Sequence, residues 1–200
     1  MSDATSNNTQ RAAGKVRWRR FAIAAVPAIA VAGTLVGLTA EGAIASSVSV
    51  SGKAFTISAS QLSGTGFEQF GGMVTESNGT PHPVMVSAIH DAHLTNLCQS
   101  VTLGPITLRL TAGDAGTPVS AQNMIVDADS QTGSSAVFSN ITIGQDAGTL
   151  TEVPGITGPA GTFGQQADGV TINNLSQDTW LTTAGTFTLP HLSVGFGGGC

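Results

Sequence analysis

Two histidines, an aspartate and a cysteine lie within a nine-residue stretch that runs from His90 to Cys98, a set of side chains that could bind a metal ion. Strand geometry counts against this chemistry. Residues i and i+3 of an extended strand point to opposite faces, so the imidazoles of His90 and His93 would converge only across a turn. The spacing also offers no third or fourth ligand. We therefore predict no metal site and interpret both histidines as exposed or capping residues beside a turn.

Ester hydrolysis is the second chemistry to consider, because serine and histidine are both present. A Gly-x-Ser-x-Gly elbow between a strand and a helix is the usual nucleophile motif, and no serine of this chain has that context. A catalytic triad is defined by geometry and not by order along the sequence, so a set built on His90, His93 or His191 stays open. The sequence assigns no catalytic residue and no cofactor. We interpret Asp127 and Asp129, two apart on one strand, as a solvated face.

The stretch around Cys98 recurs near the C-terminus, which favours a structural role. Asn96-Leu97-Cys98-Gln99 matches Asn174-Leu175-Ser176-Gln177, whereas the histidines do not recur. A catalytic constellation is usually unique, while a structural unit repeats. We predict a repeated structural turn in which both leucines are buried and the amides bond to neighbouring backbone. The residues that are identical in the two copies are Asn96, Leu97 and Gln99 in the first and Asn174, Leu175 and Gln177 in the second.

The elements that carry these residues are predicted to be short strands separated by glycine-rich turns. In 106–111 apolar residues alternate with threonine and arginine, the period of two that indicates a strand with one buried face. The predicted fold is all-β: an irregular β-sandwich, a jelly-roll-like body or an elongated open β domain. A β-solenoid is kept as the alternative only, because the uneven spacing of Asn96, Asn140 and Asn174 argues against coils of fixed length.

The N-terminal region reads as a targeting segment. Residues 1–20 form a basic tail, predicted to stay in the cytoplasm, and 21–40 contain no charge over a length that spans a bilayer. We predict a transmembrane or signal segment over 21–45 and an extracytoplasmic β-rich domain over 46–200. Ala43-Ile44-Ala45 has the small-x-small pattern of a signal peptidase site. The favoured location is the cell membrane, and the alternative is secretion after cleavage near Ala45.

Net charge limits the classes of binding partner, and the two cysteines predict a disulfide. Residues 46–200 carry ten acidic side chains against Lys53 and Arg109, a formal net charge of −8. A polyanion of this kind is repelled by phosphates, which excludes nucleic acid as a partner. In an exported protein Cys98 and Cys200, the only cysteines, are predicted to form a disulfide; two free thiols are the alternative.

Four stretches carry a resemblance to a known family: "NLCQSVTLGPITLRLTAG", "IVDADSQTGSSAVFSNITIGQDA", "GTFGQQADGVTINNLSQDTW" and "TTAGTFTLP". Over residues 15–200 the chain resembles an uncharacterised family of exported actinobacterial proteins. The resemblance implies an N-terminal hydrophobic segment followed by a β-rich domain of unknown function. Some members carry the automatic label "cholesterol esterase". No catalytic residues are carried over by the resemblance.

These observations predict a non-enzymatic envelope protein, held by its N-terminal helix or secreted. Its β domain would bind a lipid-like ligand or a partner protein, because a strand-rich body with a thin apolar interior can open to admit an acyl chain. The competing hypothesis is a lipid esterase of the cholesterol type. Labelling by a serine-reactive phosphonate would distinguish the two.

Overall fold

A computed structural model of the chain describes residues 49–114 and 116–200. The predicted basic tail and the segment 21–45 lie outside the described residues. Within the described part no helix has the length and apolar character needed to cross a membrane. The helical content of this part is one 3-10 turn, Ala147–Thr149.

Ten strands make up the described domain. Val, Ile, Thr and Phe fill them, and glycine, proline, asparagine and aspartate separate them, as β propensity and turn chemistry require. In chain order they are β1 (Phe55–Thr75), β2 (Pro81–Thr95), β3 (Leu97–Leu103), β4 (Ile106–Ala112), β5 (Val119–Thr132), β6 (Ser135–Ser139), β7 (Thr142–Asp146), β8 (Phe163–Thr183), β9 (Thr186–Thr188) and β10 (Ser193–Phe196).

The strands form one antiparallel sheet that closes on itself. β1 pairs with β2, β2 with β5, β5 with β8, and β8 with β1 again. The all-β prediction is thus confirmed. The sheet differs from an elongated open domain because its long strands return to the first one, from a sandwich because it is a single sheet, and from a solenoid because its ladders are antiparallel.

Two kinds of irregularity let the long strands curve. The β5–β8 register shifts on both sides of Ala128, and a bulge of this kind bends a strand and increases its twist. Close strand approach adds to this at Gly64, where a Cβ would lie 2.5 Å from Ile89 Cγ2. Only glycine fits there, so the sequence builds the tight curvature into the middle of β1.

The apolar core fills the space that the sheet encloses. Leu62, Phe67, Ile89, Val126 and Ile172 are among the buried side chains that meet there. They leave a cavity of about 10 Å³, which is room for about one water molecule. The interior is therefore packed around this cavity, which is too small for a ligand.

A second layer covers part of the outer face. Phe70 lies three residues after Phe67 and points to the opposite side, where it packs against Ala147, Leu150 and Ile156. We call residues 147–162 the cover segment. Both of its ends are fastened by Asp146, whose Oδ1 accepts from Gly148 N at 2.8 Å and from Gly161 N at 2.9 Å.

Candidate functional site

The residues that opened the metal hypothesis do not converge. His90 Nδ1 lies 2.8 Å from Asn123 Oδ1 on β5, and His93 is exposed on the same strand as His90. Cys98 forms a disulfide and therefore offers no thiolate. In residues 49–114 and 116–200 no group of three or more His, Cys, Asp or Glu side chains could hold a metal ion.

The other histidines are each paired with a carboxylate. His191 Nδ1 lies 2.9 Å from Asp114 Oδ1, and both side chains are exposed. His82 Nε2 lies 2.7 Å from Glu76 Oε1, and its ring stacks on Trp180 with 4.0 Å between the ring centroids. No histidine ring of the described chain has a serine hydroxyl as a hydrogen-bond partner. The geometry therefore presents no assembled nucleophile and base.

The repeated element flanks the first strand on both of its edges. Ile57 of β1 pairs with Gln99 of β3 on one side and with Gln177 of β8 on the other, so the two copies lie at the same register. Leu97 and Leu175 are each 2% exposed and belong to the core. The two copies of the repeat thus lie on either side of the beginning of β1, and each contributes a buried leucine to the core.

The asparagines of the repeat kink their strands. Asn96 has φ 53° and Asn174 has φ 48°, in the left-handed region that asparagine tolerates. Their Nδ2 groups donate to Ser60 Oγ at 2.9 Å and to Ser134 Oγ at 3.0 Å. The amides bond to side chains where we expected backbone. The first copy bends at Asn96, between β2 and β3, whereas the second copy continues within β8.

The disulfide joins Cys98 of β3 to Cys200, with 5.8 Å between the Cα atoms. Strands β3, β4 and β10 extend the sheet beyond β1, and we call these three strands the flap. Gly197 N donates to Thr107 O at 3.0 Å, which continues the β10–β4 ladder. The last residues, which we call the tail, then fold onto the flap, where Cys200 N donates to Ser100 Oγ at 3.0 Å. The tail thereby covers the face of the flap that carries Cys98 and Ser100.

The opposite face of the flap is apolar. Its base, Leu97 and Ala112, belongs to the core and Leu110 packs against the core, whereas the part beyond them is uncovered. Registered pairs place Val194 beside Leu110, and Phe196 beside Leu108. Phe196 is 75% exposed and Val194 is 56% exposed. Leu103 and Ile106 pair at the hairpin tip and are 46% and 49% exposed. Neighbouring exposed apolar side chains on one sheet face are typical of a contact surface.

A groove borders this face. It has a volume of about 320 Å³ and combines aromatic, aliphatic and neutral polar side chains, none of them charged. Trp180 Nε1 and Thr182 Oγ1, on two of its lining residues, are buried without a hydrogen-bond partner. Sequence patterns did not reveal the groove, although Trp180 and Phe187 are aromatics in an aromatic-poor chain. The lining residues are Phe55, Gln99, Trp180, Leu181, Thr182, Thr183, Ala184 and Phe187.

Two carboxylates have perturbed titration. Glu68 is completely buried beneath the cover segment; its Oε1 accepts from Val153 N at 2.8 Å, and its Oε2 has no partner. Burial raises the pKa of Glu68. Burial also raises the pKa of Asp127 to about 6. The interpretation as a solvated face fits the exposed Asp129 but not Asp127, which is half-buried.

Comparison with known proteins places the domain in a family. No curated protein and no solved structure matches the chain. A model described as a family of unknown function, DUF6230, matches residues 51–200, nearly all of the described domain. The expectation of an uncharacterised family is confirmed, while actinobacterial origin, export and the esterase label stay predictions. Because the match extends over most of its length, the chain belongs to the DUF6230 family of unknown function.

Proposed function

We propose that this chain is a non-enzymatic envelope protein whose β domain binds a lipid-like ligand in the groove beside the flap. The supporting observation is the groove itself, which has no charged lining residue and a volume of about 320 Å³. Small-molecule sites are about 300–1,000 Å³ and mainly apolar. The proposal includes an extracytoplasmic location, with the N-terminal segment retained in the membrane or cleaved near Ala45.

The groove is a better acyl-chain site than the interior. The core cavity of about 10 Å³ cannot admit a ligand without unpacking buried side chains. In the groove, Phe55, Trp180 and Phe187 offer aromatic surface whose coverage contributes about 25 cal/mol per Å². The hydroxyl of Thr183 and the amide of Gln99 offer hydrogen bonds to a carboxylate or ester end. The lining thus fits an amphipathic molecule.

The direct test is titration of the full chain carrying W18F with a brominated medium-chain fatty acid, which quenches the emission of Trp180 when it enters the groove. We expect saturable quenching that F187A weakens about fivefold, since losing about 1 kcal/mol of apolar contact changes a binding constant by that factor. Phe187 is 40% exposed, so its truncation leaves the core intact. F163A is the matched control, because Phe163 is an exposed phenylalanine outside the groove.

Native mass spectrometry of the detergent-extracted protein provides the second measurement. It reports any bound lipid together with the mass that shows whether cleavage occurred near Ala45. Equal affinities for F187A and F163A would rule out the groove as the binding site. Hydrolysis of short-chain or cholesteryl esters with stoichiometric phosphonate labelling would instead replace the proposal with the esterase hypothesis.

A further inference from the structure

We infer that the apolar face of the flap docks on the surface of a lipid bilayer, with Phe196, Val194 and the Leu103–Ile106 hairpin tip in the interfacial layer. The inference shares with the proposed function the location at a membrane, and it concerns a different surface from the groove. Three features carry it: the asymmetry of the flap, the distribution of charge over the domain, and the length of chain between the predicted membrane segment and the described domain.

The first feature is that the flap has one closed face and one open face. The disulfide between Cys98 and Cys200 holds the tail on the polar face. Nothing in the described chain covers Val194 and Phe196 on the other face, although Phe196 is the most exposed large apolar residue there. The tail therefore covers the polar face of the flap and leaves the apolar side chains of the other face available to a partner.

The second feature is charge. The body over 46–200 has a formal net charge of −8, yet neither 92–113 nor 179–200 contains an aspartate or glutamate. The flap, whose charged side chain is Arg109, is built entirely from these two stretches. Carboxylates are unfavourable in the membrane interface and are repelled by anionic headgroups. The flap, which has no acidic side chain, is therefore the part of this body that can approach a bilayer.

Charge also favours a bilayer over a second copy of the chain. Two copies meeting through their flaps would bring together two bodies that each carry −8. Self-repulsion at such net charge keeps proteins apart. A zwitterionic bilayer offers apolar contact without this repulsion, and Leu, Val and Phe side chains partition readily into its headgroup and acyl boundary.

The third feature is the length of the connection. The apolar segment predicted to lie in the membrane ends at Ala40, and the described domain starts at Ser49. The eight residues between them give nine Cα–Cα steps, which span at most about 30 Å. A retained segment therefore keeps the domain within reach of the bilayer and raises the effective concentration of the flap at its surface.

The test uses the full chain reconstituted in phosphatidylcholine vesicles whose acyl chains are brominated. Added tryptophans in F196W and L103W report contact with the acyl chains after the emission of the native chain is subtracted. V137W is the control, since Val137 is 62% exposed, between Leu103 and Phe196 in exposure, but lies on β6. All three positions are exposed, so none of the substitutions disturbs the core.

We expect the bromines to reduce the added emission of F196W and L103W at least about twofold, as for side chains roughly 5–10 Å deep in the interface, and to leave V137W unchanged. Unquenched emission from both flap variants would overturn the inference, as would equal quenching of V137W. Concentration-dependent dimers that shield the flap indoles from bromine would assign the face to a second copy instead. A negative fatty-acid titration would overturn the groove ligand while leaving this result intact.

Discussion

At the scale of single residues, Glu68 and Asp127 lie in surroundings that favour their protonated forms. Asp127 is in register with Val86 on β2 and Leu181 on β8, so it shares a sheet face with two half-buried apolar side chains. Glu68 is enclosed more fully, with Val153 N as its hydrogen-bond donor. In both cases burial raises the pKa because the charged form loses hydration.

The first prediction concerns the pH dependence of stability. Folding raises the pKa of Asp127 from 3.8 to about 6, so the folded state holds this proton more tightly than the unfolded chain. The resulting stabilisation is fully present below pH 3.8 and is lost as the pH rises to about 6. D127N should therefore be more stable than the native chain at pH 7, by on the order of 1 kcal/mol after allowance for partial exposure.

Urea unfolding between pH 3.5 and 7 measures this effect. The slope that remains in D127N belongs in part to Glu68, whose pKa is shifted in the same direction. D129N is the matched control, because Asp129 is an exposed aspartate on the same strand. Parallel stability curves for D127N and the native chain would contradict the assignment to Asp127.

The second prediction separates the buried leucines of the repeat from the histidines. L97A and L175A should each lower the free energy of unfolding by about 2–5 kcal/mol, through lost burial and a residual cavity. H90A and H93A should stay within about 0.5 kcal/mol, as expected for surface positions. Thermal unfolding with and without a chelator makes the comparison. A chelator effect, or a histidine effect as large as the leucine effect, would restore the metal hypothesis.

At the scale of elements, two irregular segments are each held to the sheet by a small number of contacts. The cover segment is held to the outer face by Asp146 at its ends and by Glu68 beneath Val153. The tail is held to the flap by the disulfide and by two backbone donors. In each case a short irregular segment shields one sheet face, and in the flap this leaves the other face exposed.

The third prediction is that removing the disulfide releases the tail and β10. Cys98 and Cys200 are 102 residues apart, and closing a loop of this length contributes about 4–5 kcal/mol in the chain-entropy model. C98S/C200S should lose up to this amount. Hydrogen exchange should show faster exchange at Ser193–Phe196, while β1 and β8 keep their protection. Unchanged exchange in β10 would show that its ladder with β4 suffices to hold it.

At the scale of the whole molecule, the closed cycle of pairings joins distant parts of the chain. Phe55 pairs with Thr179, so the first and last long strands must meet before the sheet can close. Loop closure of this length has an entropic cost that is offset only when the ladder and the core form. The core, the groove and the flap consequently form parts of one cooperative unit.

The fourth prediction follows from this topology. Refolding of the oxidised protein should take milliseconds to seconds, as for β proteins dominated by distant pairings. Stopped-flow emission of Trp180 in a W18F background reports the closure, because Trp180 packs beside Val74 and Val84. L175A should slow refolding and F163A should not, since only Leu175 is part of the core. Submillisecond refolding would contradict closure as the limiting step.

The sequence by itself determined the all-β class, because alternation of apolar and polar residues is a local pattern that a single strand carries, as Ile106, Leu108 and Leu110 do in β4. It also identified Leu97 and Leu175 as equivalent, since each copy of the repeat is a run of consecutive residues. The same local logic made His90 and His93 an improbable metal pair, because faces of a strand follow from spacing alone.

Only the tertiary structure decided how these strands combine. The placement of Gln99 and Gln177 on either side of Ile57, the closure of β1 on β8, and the groove between Phe55 and Phe187 all join residues that are distant along the chain. Local alternation sets which face of a strand is apolar but not which strand lies beside it. The burial of Asp127 was missed for the same reason: its apolar neighbours Val86 and Leu181 come from other strands, and only pairing brings them together.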